Sequence, residues 1–491
     1  MRPRSGGIAA LHVITLVFLF SVAGFVESVQ QHSLNSITNG DFWWHLQTGL
    51  VILETRALPH TGLFSQAAAL PWTASSWLYD LGIAIGYRML DLHFVTTLAI
   101  DFKVALAILT FVLAGGLGGR FWTAIALSAV TQYILSAMQP LPTFASVLCF
   151  AIELLLLMKH RRTPSVRVLY WLPLLFLLWA NLQSQFVFGI LTLVLFGLAG
   201  LIEQRGITFL RHPHSPPVRS LAVLTLASLV AGCITPYGWN SYRVFFAQAT
   251  SAANPYFADF ISLRFRTPQD YLLLLLALSA FLALGMRRSR DLFQIPLLVL
   301  CTAAAFHSQR DAWLLALAAV AILADAVVAS AAPTERQLST VTAPQFPIAV
   351  TSAVLLLAAA SALHPHGRNA MLAEIGEGYP VAAADYIRQH RLPQPLFNPL
   401  AWGGFLSWYL PEYPVAIDGR TDLYGDDFNI QYARIAKGAA HFSTFPPLNQ
   451  AGTLLLDKNS IMGEALTTVP EFKVAYSDNV AVVLVREKIQ P

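Results

Sequence analysis

Long apolar segments separated by short polar connections occupy the first three quarters of the chain. They lie at roughly 8–26, 97–115, 121–137, 141–158, 168–183, 187–202, 219–236, 270–286, 292–306, 311–330 and 345–362. A helix that crosses a bilayer needs about 20 apolar residues. The pattern therefore predicts an α-helical polytopic membrane bundle of about 11 spans, within a range of 10–12.

The last 128 residues follow a different pattern, because short apolar runs alternate there with polar turns. This pattern predicts helices at 379–390 and 426–437, strands at 413–417 and 452–456, and a hairpin formed by 472–476 and 480–485. We expect a C-terminal α/β domain at 364–491. The membrane bundle then covers 1–363 and includes a first outer loop at 27–96, with interfacial helices.

Composition agrees with a membrane protein, since 56% of the residues are hydrophobic and only 12% are charged. Basic residues cluster at Arg2 and Arg4 and in the ranges 159–167, 205–219 and 287–290. The positive-inside rule places such clusters in the cytoplasm. They are topology signals, which argues against a nucleic-acid-binding protein.

Orientation then depends on the segment 74–90, which contains Asp80 and Arg88 within a short amphipathic run. An interfacial helix fits this run better than a span. We expect the protein in the cell (inner) membrane. With eleven spans, the N-terminus lies in the cytoplasm and the C-terminal domain lies on the extracytoplasmic side.

The first outer loop contains the sequence Asn-Gly-Asp-Phe-Trp-Trp-His at 39–45. Tryptophans favour the headgroup region, so Trp44 and its neighbour would hold Asp41 at the membrane surface. A carboxylate there has two chemical uses: it can deprotonate an acceptor hydroxyl, or it can bind a divalent cation beside a phosphate. The alternative is that Asn39 or Asp41 only caps an interfacial helix.

Polar side chains also gather where other apolar segments end. Asn181 and Gln183 lie in a helix hairpin, where they would contact a sugar or phosphate or form a satisfied polar turn. Arg243, Arg264 and Arg310 fall on the predicted outer side, against the general charge bias. They are candidate ligands for a lipid phosphate, and pairing with nearby aspartates is the alternative.

In the tail, Asp418, Gly419 and Arg420 follow the predicted strand 413–417. Charged groups at a strand end suit a ligand or metal site. They equally suit a self-contained, salt-bridged loop. Glu153 and the pair Asp101 and Lys103 lie in or near apolar segments, and a transporter would need such charged groups for a path across the bilayer.

Taken together, these motifs resemble those of the GT-C superfamily of polytopic membrane glycosyltransferases, which includes protein mannosyltransferases, aminoarabinose transferases and oligosaccharyltransferase catalytic subunits. The matching features are the first-loop acid at 41, Trp-Ala-Asn at 179–181, Thr-Pro-Tyr-Gly at 235–238, the turn 307–310, Trp-Gly-Gly at 402–404 and Asp-Gly-Arg at 418–420. The first loop differs from the family pattern because it has no adjacent acidic pair.

This resemblance implies transfer of a sugar from a polyprenyl-phosphate carrier to an acceptor on the outer membrane face. Asp41 matches the family's catalytic acid, acting as a base or as a ligand of a divalent cation. His45 is then a neighbour that orients it or shares a proton. Two other functions fit the same sequence: a transporter of lipid-linked solutes, and a non-enzymatic assembly protein of the cell envelope.

Overall fold

The computed structural model describes residues 5–30, 40–163, 165–204, 218–287, 291–328, 344–362 and 367–487. Several features of the sequence lie outside these ranges: Arg2, Arg4, Asn39, most of the basic stretch 205–219, residues 288–290 of another basic cluster, and the predicted domain boundary at 363–364.

The chain is mostly helical. Up to residue 362 the helices are α1 Ser5–Gln30, α2 Asp41–Thr55, α3 Trp77–Leu90, α4 His93–Leu113, α5 Phe121–Ile134, α6 Pro142–Arg162, α7 Val166–Leu169, α8 Leu172–Leu182, α9 Phe186–Gln204, α10 Val218–Cys233, α11 Asn240–Ala249, α12 Pro268–Met286, α13 Gln294–His307, α14 Ala312–Val328 and α15 Gln345–Ala362.

The described residues 367–487 contain seven further α-helices and four strands. They are α16 Arg368–Ile375, α17 Val381–His390, β1 Leu396–Phe397, α18 Leu400–Tyr409, α19 Thr421–Tyr424, α20 Asp426–Ala436, α21 Pro446–Asn449, β2 Thr453–Asp457, α22 Ile461–Leu466, β3 Phe472–Ser477 and β4 Ala481–Arg486.

The chain divides into two compact units. The first unit consists of 1–28, 98–242 and 257–364, and the second consists of 29–97, 243–256 and 365–491. The predicted domain division at 363 remains a prediction, but the second unit as it stands contains most of the first outer loop together with the tail.

Each of the eleven apolar segments predicted from the sequence overlaps one of the helices of the structure. Four helical stretches in the described ranges are long and apolar enough to cross a membrane: His93–Gly118, Pro142–Arg162, Phe186–Glu203 and Pro268–Met286. Six shorter apolar helices accompany them. The apolar helices are those of a multi-pass membrane protein, while the number of spans remains a prediction.

Apolar side chains line both the inside and the outside of the first unit. Every residue from Trp313 to Ile322 in α14 is buried, which makes α14 the central helix of this unit. Large apolar side chains elsewhere are exposed, including Phe18, Val223 and Met286. Exposed apolar surface on helices of this length is typical of contact with lipid.

The second unit contains a four-stranded sheet in the order β1-β2-β4-β3. The strand β1 is parallel to β2, and the remaining pairs are antiparallel. The predicted hairpin is confirmed, and its turn is closed by Asp478, whose Oδ1 accepts the backbone N–H groups of Val480 and Ala481. The predicted helices 379–390 and 426–437 and the strand 452–456 are also confirmed.

The predicted strand at 413–417 is wrong. This segment is extended, but its regular pairing is a single parallel bridge between Val415 and Ser65 of the first loop. Val415 N donates to Phe64 O, and Gln66 N donates to Val415 O. Its apolar side chains therefore reflect burial within the second unit, and not membership of the sheet.

Candidate active site

Helix α2 begins at Asp41, as the amphipathic pattern of the first loop predicts. Gly40 occupies the N-cap position and makes no side-chain capping bond. Asp41 is therefore in the first turn, where the partial positive charge of the helix terminus stabilises a carboxylate. Its side chain is half-buried. The indole Nε1 of Trp44, one turn further along, donates to Asp41 Oδ1 at 3.2 Å.

Two helices hold α2 in the second unit. Helix α18 approaches so closely that a Cβ on its Gly404 would lie 2.0 Å from the backbone oxygen of Gly40. Helix α3 is equally close, because a Cβ on Gly49 of α2 would lie 1.9 Å from the backbone oxygen of Asp80. Glycines at these two positions let the backbones touch.

The tail motif at 418–420 lies against the start of α2. The space beside Gly419 is filled by the Asp41 carboxylate, since a Cβ on Gly419 would lie 1.6 Å from Asp41 Oδ1. The structure thus brings two motifs that the sequence places at opposite ends of the chain into direct contact.

Asp418 and Arg420 form a fully buried, bidentate ion pair. Arg420 Nε donates to Asp418 Oδ1 at 2.9 Å, and Nη2 donates to Oδ2 at 2.6 Å. The remaining Nη1 donates to the backbone oxygen of Gly62 at 2.7 Å. The guanidinium also stacks on the rings of Phe64 and Trp72, with its carbon 4.2 and 4.9 Å from the ring centroids. Its bonds are thus directed at the protein itself, which is the geometry of a self-contained pair.

His45 lies one turn beyond Asp41 on α2, but its bond is directed elsewhere. Its Nδ1 is 2.6 Å from Oδ1 of Asp80 on α3, and both side chains are buried. Burial raises the pKa of the Asp80 carboxyl, and the charge and hydrogen bond of His45 oppose that rise. The His45 ring stacks on the Trp44 ring with centroids 3.5 Å apart.

Asp80 is the residue that the sequence did not identify as part of the site. In the sequence, Asp80 indicates only that the segment 74–90 does not span the membrane. A lone carboxylate in a short apolar helix does signal a buried partner, but the partner lies 35 residues away and the local pattern does not reveal it.

The three candidate arginines differ in exposure, since two are exposed and the third is half-buried. Arg243, on α11 in the second unit, is exposed, and so is Arg264 in the first unit. Arg310, also in the first unit, lies over the ring of Phe260 at 5.1 Å.

Asn181 and Gln183 lie in the hairpin of the first unit. Asn181 Nδ2 donates to the backbone oxygens of Leu177 and Ile234. Gln183 Oε1 accepts from the N–H and hydroxyl of Ser184. These bonds fit a satisfied polar turn, and a role in substrate binding remains a prediction.

The charged residues Glu153 and Lys103 lie in different surroundings. Glu153 is fully buried, and its two carboxyl oxygens have no hydrogen-bond partner among the described residues. Lys103 Nζ donates to Ser136 O at an exposed position.

The whole architecture can be compared with known proteins. No protein-family model matches the sequence, and no curated protein matches it. Among solved structures, the archaeal oligosaccharyltransferase AglB from Archaeoglobus fulgidus, in complex with an inhibitory peptide and a dolichol-phosphate, is similar with a TM-score of 0.51 and 11% identity. The match covers 92% of this chain and 69% of that chain. This likeness shows that the chain has the fold of that oligosaccharyltransferase.

Two further structures belong to the same comparison. The Archaeoglobus fulgidus oligosaccharyltransferase tethered with an acceptor peptide has a TM-score of 0.50 and 10% identity, over 92% of this chain and 68% of that one. ArnT from Cupriavidus metallidurans bound to undecaprenyl phosphate has a TM-score of 0.49 and 13% identity, over 98% of both chains. The fold predicted from the sequence motifs agrees with that of the two oligosaccharyltransferase structures.

A divalent cation finds few ligands among the described residues. The described residues contain no group of three or more His, Cys, Asp or Glu side chains that could hold a metal ion. Asp41 offers one carboxylate, whereas the neighbouring Asp418 carboxylate is engaged by Arg420. This donor set does not fit a metal ion held by the described residues alone.

Proposed function

We propose that this protein is an integral-membrane glycosyltransferase that moves a sugar from a polyprenyl-phosphate carrier to an acceptor on the outer membrane face. The observation that carries the proposal is the placement of Asp41. Its carboxylate lies half-buried in the first turn of α2, bonded to Trp44 and packed against Gly419, within a GT-C fold. The AglB structure of that fold contains dolichol-phosphate, which supports the class of carrier.

In the proposed reaction Asp41 is the general base. It takes the proton from the nucleophilic group of the acceptor as that group attacks the anomeric carbon of the sugar. The bond between the anomeric carbon and the phosphate oxygen breaks, and the polyprenyl phosphate leaves with the bonding electrons. The Trp44 indole holds the orientation of the Asp41 carboxylate before the attack.

We assign binding of the polyprenyl-phosphate carrier to three arginines. Arg243 and Arg264 present guanidinium groups at the surface, and Arg310 is the third candidate for the lipid phosphate. Asn181 and Gln183 are proposed to contact the sugar. For Asp418 and Arg420 we propose a different role from direct substrate contact: their buried pair holds Gly419 against Asp41.

The orientation follows from the charge pattern of the sequence. We propose a cytoplasmic N-terminus, an inner-membrane location and an outer position for residues 364–491. The second unit, which contains Asp41, would then face the compartment where lipid-linked sugars are presented outside the cytoplasm.

The test is turnover of a panel of polyprenyl-phosphate sugars by purified wild-type protein and by Asp41→Asn. Asp427→Asn is the matched control, since Asp427 is an exposed acid in the first turn of α20. We expect wild type and control to consume one donor, while Asp41→Asn binds it and turns it over at least about a hundredfold more slowly. If folded wild type binds no donor across the panel, the transporter or assembly function takes its place. Equal turnover by Asp41→Asn would remove Asp41 from the chemistry.

A further inference from the structure

Trp44 is held from two sides, and the two contacts differ in kind. On one side its Nε1 donates to Asp41. On the other side its ring is covered by the imidazole of His45, at 3.5 Å and an angle of 29°. Trp72 closes a further edge at 5.9 Å. An indole packed in this way keeps one orientation, so the direction of its N–H is fixed by its neighbours.

The imidazole is in turn fixed by Asp80. The 2.6 Å contact between His45 Nδ1 and Asp80 Oδ1 is short, and both side chains are at most 7% exposed. Whichever of the two groups donates, this bond at Nδ1 fixes the plane of the His45 ring. Tyr79 lies edge-on against the same ring at 5.8 Å.

The close packing of α2 and α3 brings Asp80 within hydrogen-bond distance of His45. Helices α2 and α3 touch at Gly49, which lies one turn after His45 on the same face of α2. A side chain at 49 would push the backbone of Asp80 away, and the contact with His45 would open. Gly49 thus holds the two helices at the separation that the pair requires.

We infer that Asp80 is a positioning residue for Asp41, acting through the His45 imidazole and the Trp44 indole. The inference rests on the proposed function for its catalytic consequence, but the four side chains form one continuous series of contacts whatever the reaction is. It makes His45 a support for Trp44, and not a partner that shares a proton with Asp41.

The first readout does not depend on turnover. Protein with ¹⁵N-labelled tryptophan gives one indole N–H signal for each of the 11 tryptophans, and Trp44→Phe identifies the signal of Trp44. Asp41→Asn should move that signal, because the acceptor of the bond changes. We expect Asp80→Asn to move it too. Asp91→Asn is the matched control, since Asp91 directly follows α3 and pairs with Arg368 at the surface; it should leave the signal in place.

The second readout uses the donor that wild type consumes. Misplacing a catalytic group by about 1 Å costs up to about a hundredfold in rate. Asp80→Asn should therefore lower kcat by roughly tenfold to a hundredfold, while KM stays within about twofold. His45→Gln should behave in the same way, because an amide restores the hydrogen bond but not the stacked ring. A rise in KM with unchanged kcat would overturn the inference.

Failure of the positioning inference and failure of the proposed function give different results. If the Trp44 signal responds to Asp41→Asn but ignores both Asp80→Asn and His45→Gln, the inference is wrong even where turnover is normal. If the signal responds as expected but wild type consumes no donor, the proposed function fails and the positioning series stands. Should Asp80→Asn not fold, His45→Gln decides the spectroscopic test alone.

Discussion

At the residue scale, the carboxylate of Asp41 occupies the space that a side chain at position 419 would need. A Cβ there would lie 1.6 Å from Asp41 Oδ1 and 3.0 Å from Trp44 Nε1. Gly419→Ala should therefore rotate Asp41 away from the indole and lower turnover by about ten- to a hundredfold. Donor turnover and the Trp44 indole signal measure the change.

Gly82→Ala is the control for this substitution. Gly82 lies in α3, and a Cβ there meets nothing within 4 Å. Alanine in a helix interior is favoured over glycine by about 0.5–1 kcal/mol, so this variant should be active and slightly more stable. Wild-type turnover in Gly419→Ala would show that the close approach of Gly419 does not position Asp41.

A separate prediction concerns Asp311, which lies in the first unit at the turn between α13 and α14. Burial raises the pKa of its carboxyl to about 6, although Arg310, His307 and a hydrogen bond from Gln185 oppose the rise. The folded protein therefore holds this proton to a higher pH than the unfolded chain does. Its contribution to stability is complete below about pH 4 and is lost as the pH rises through about 6.

Asp311→Asn should remove this pH dependence. In wild type, the rise in pH from about 4 to about 7 should lower the free energy of unfolding by up to about 3 kcal/mol. Thermal unfolding in detergent at about pH 4 and about pH 7 measures it, with Asp427→Asn as an exposed comparison. An unchanged slope in Asp311→Asn would show that other groups cause the dependence.

At the element scale, the contact between α2 and α18 depends on two facing glycines. A Cβ on Gly404 would lie 2.0 Å from Gly40 O, and one on Gly40 would lie 2.1 Å from Ala401 O. The atoms in the way are backbone, so a helix must move to make room. Gly404→Ala should cost about 1–3 kcal/mol of stability, seen as a lower unfolding temperature, whereas Gly82→Ala should not. An unchanged unfolding temperature would contradict the close approach.

The elements themselves could largely be predicted from the sequence. Each apolar segment predicted from the sequence overlaps a helix, because helices in contact with lipid need that composition whatever their tertiary contacts are. The two-residue strand β1 and the extended segment 413–417 could not be predicted correctly, since their pairing partners lie far along the chain. The same limit applies to the site. The residues Asp41 and Arg420 stand out locally, while the pairing of His45 with Asp80 depends on helix contacts that no local pattern encodes.

At the scale of the whole molecule, the second unit is built from distant parts of the chain. The tail supplies α18 and the 418–420 motif, and the first loop supplies α2, α3 and the residues that surround Arg420. The rings of Trp43 in α2 and Trp408 in α18 stack at 4.6 Å inside this unit. Gln66 Nε2 also donates to Leu396 O in β1. The tail therefore buries part of its apolar surface against the first loop.

This arrangement predicts that residues 367–487 expressed alone will not unfold cooperatively. Arg420 would lose its bond to Gly62 and its contacts with Phe64 and Trp72, which leaves buried groups exposed. A fusion that adds residues 40–97 through a flexible linker should restore a cooperative transition. Near-ultraviolet circular dichroism during heating measures both. A cooperative transition in the isolated tail would instead support the predicted independent domain at 364–491.

The distance along the chain between Asp41 and Gly419 also has a consequence for biosynthesis. A ribosome adds about 5–20 residues per second, so Asp41 leaves it tens of seconds before the segment that packs against it exists. During that time the helices of the first unit can enter the membrane while the carboxylate lacks its final geometry. A chain that stops before position 418 would hold the acid but not its support. Completion of translation is thus the event that assembles this site.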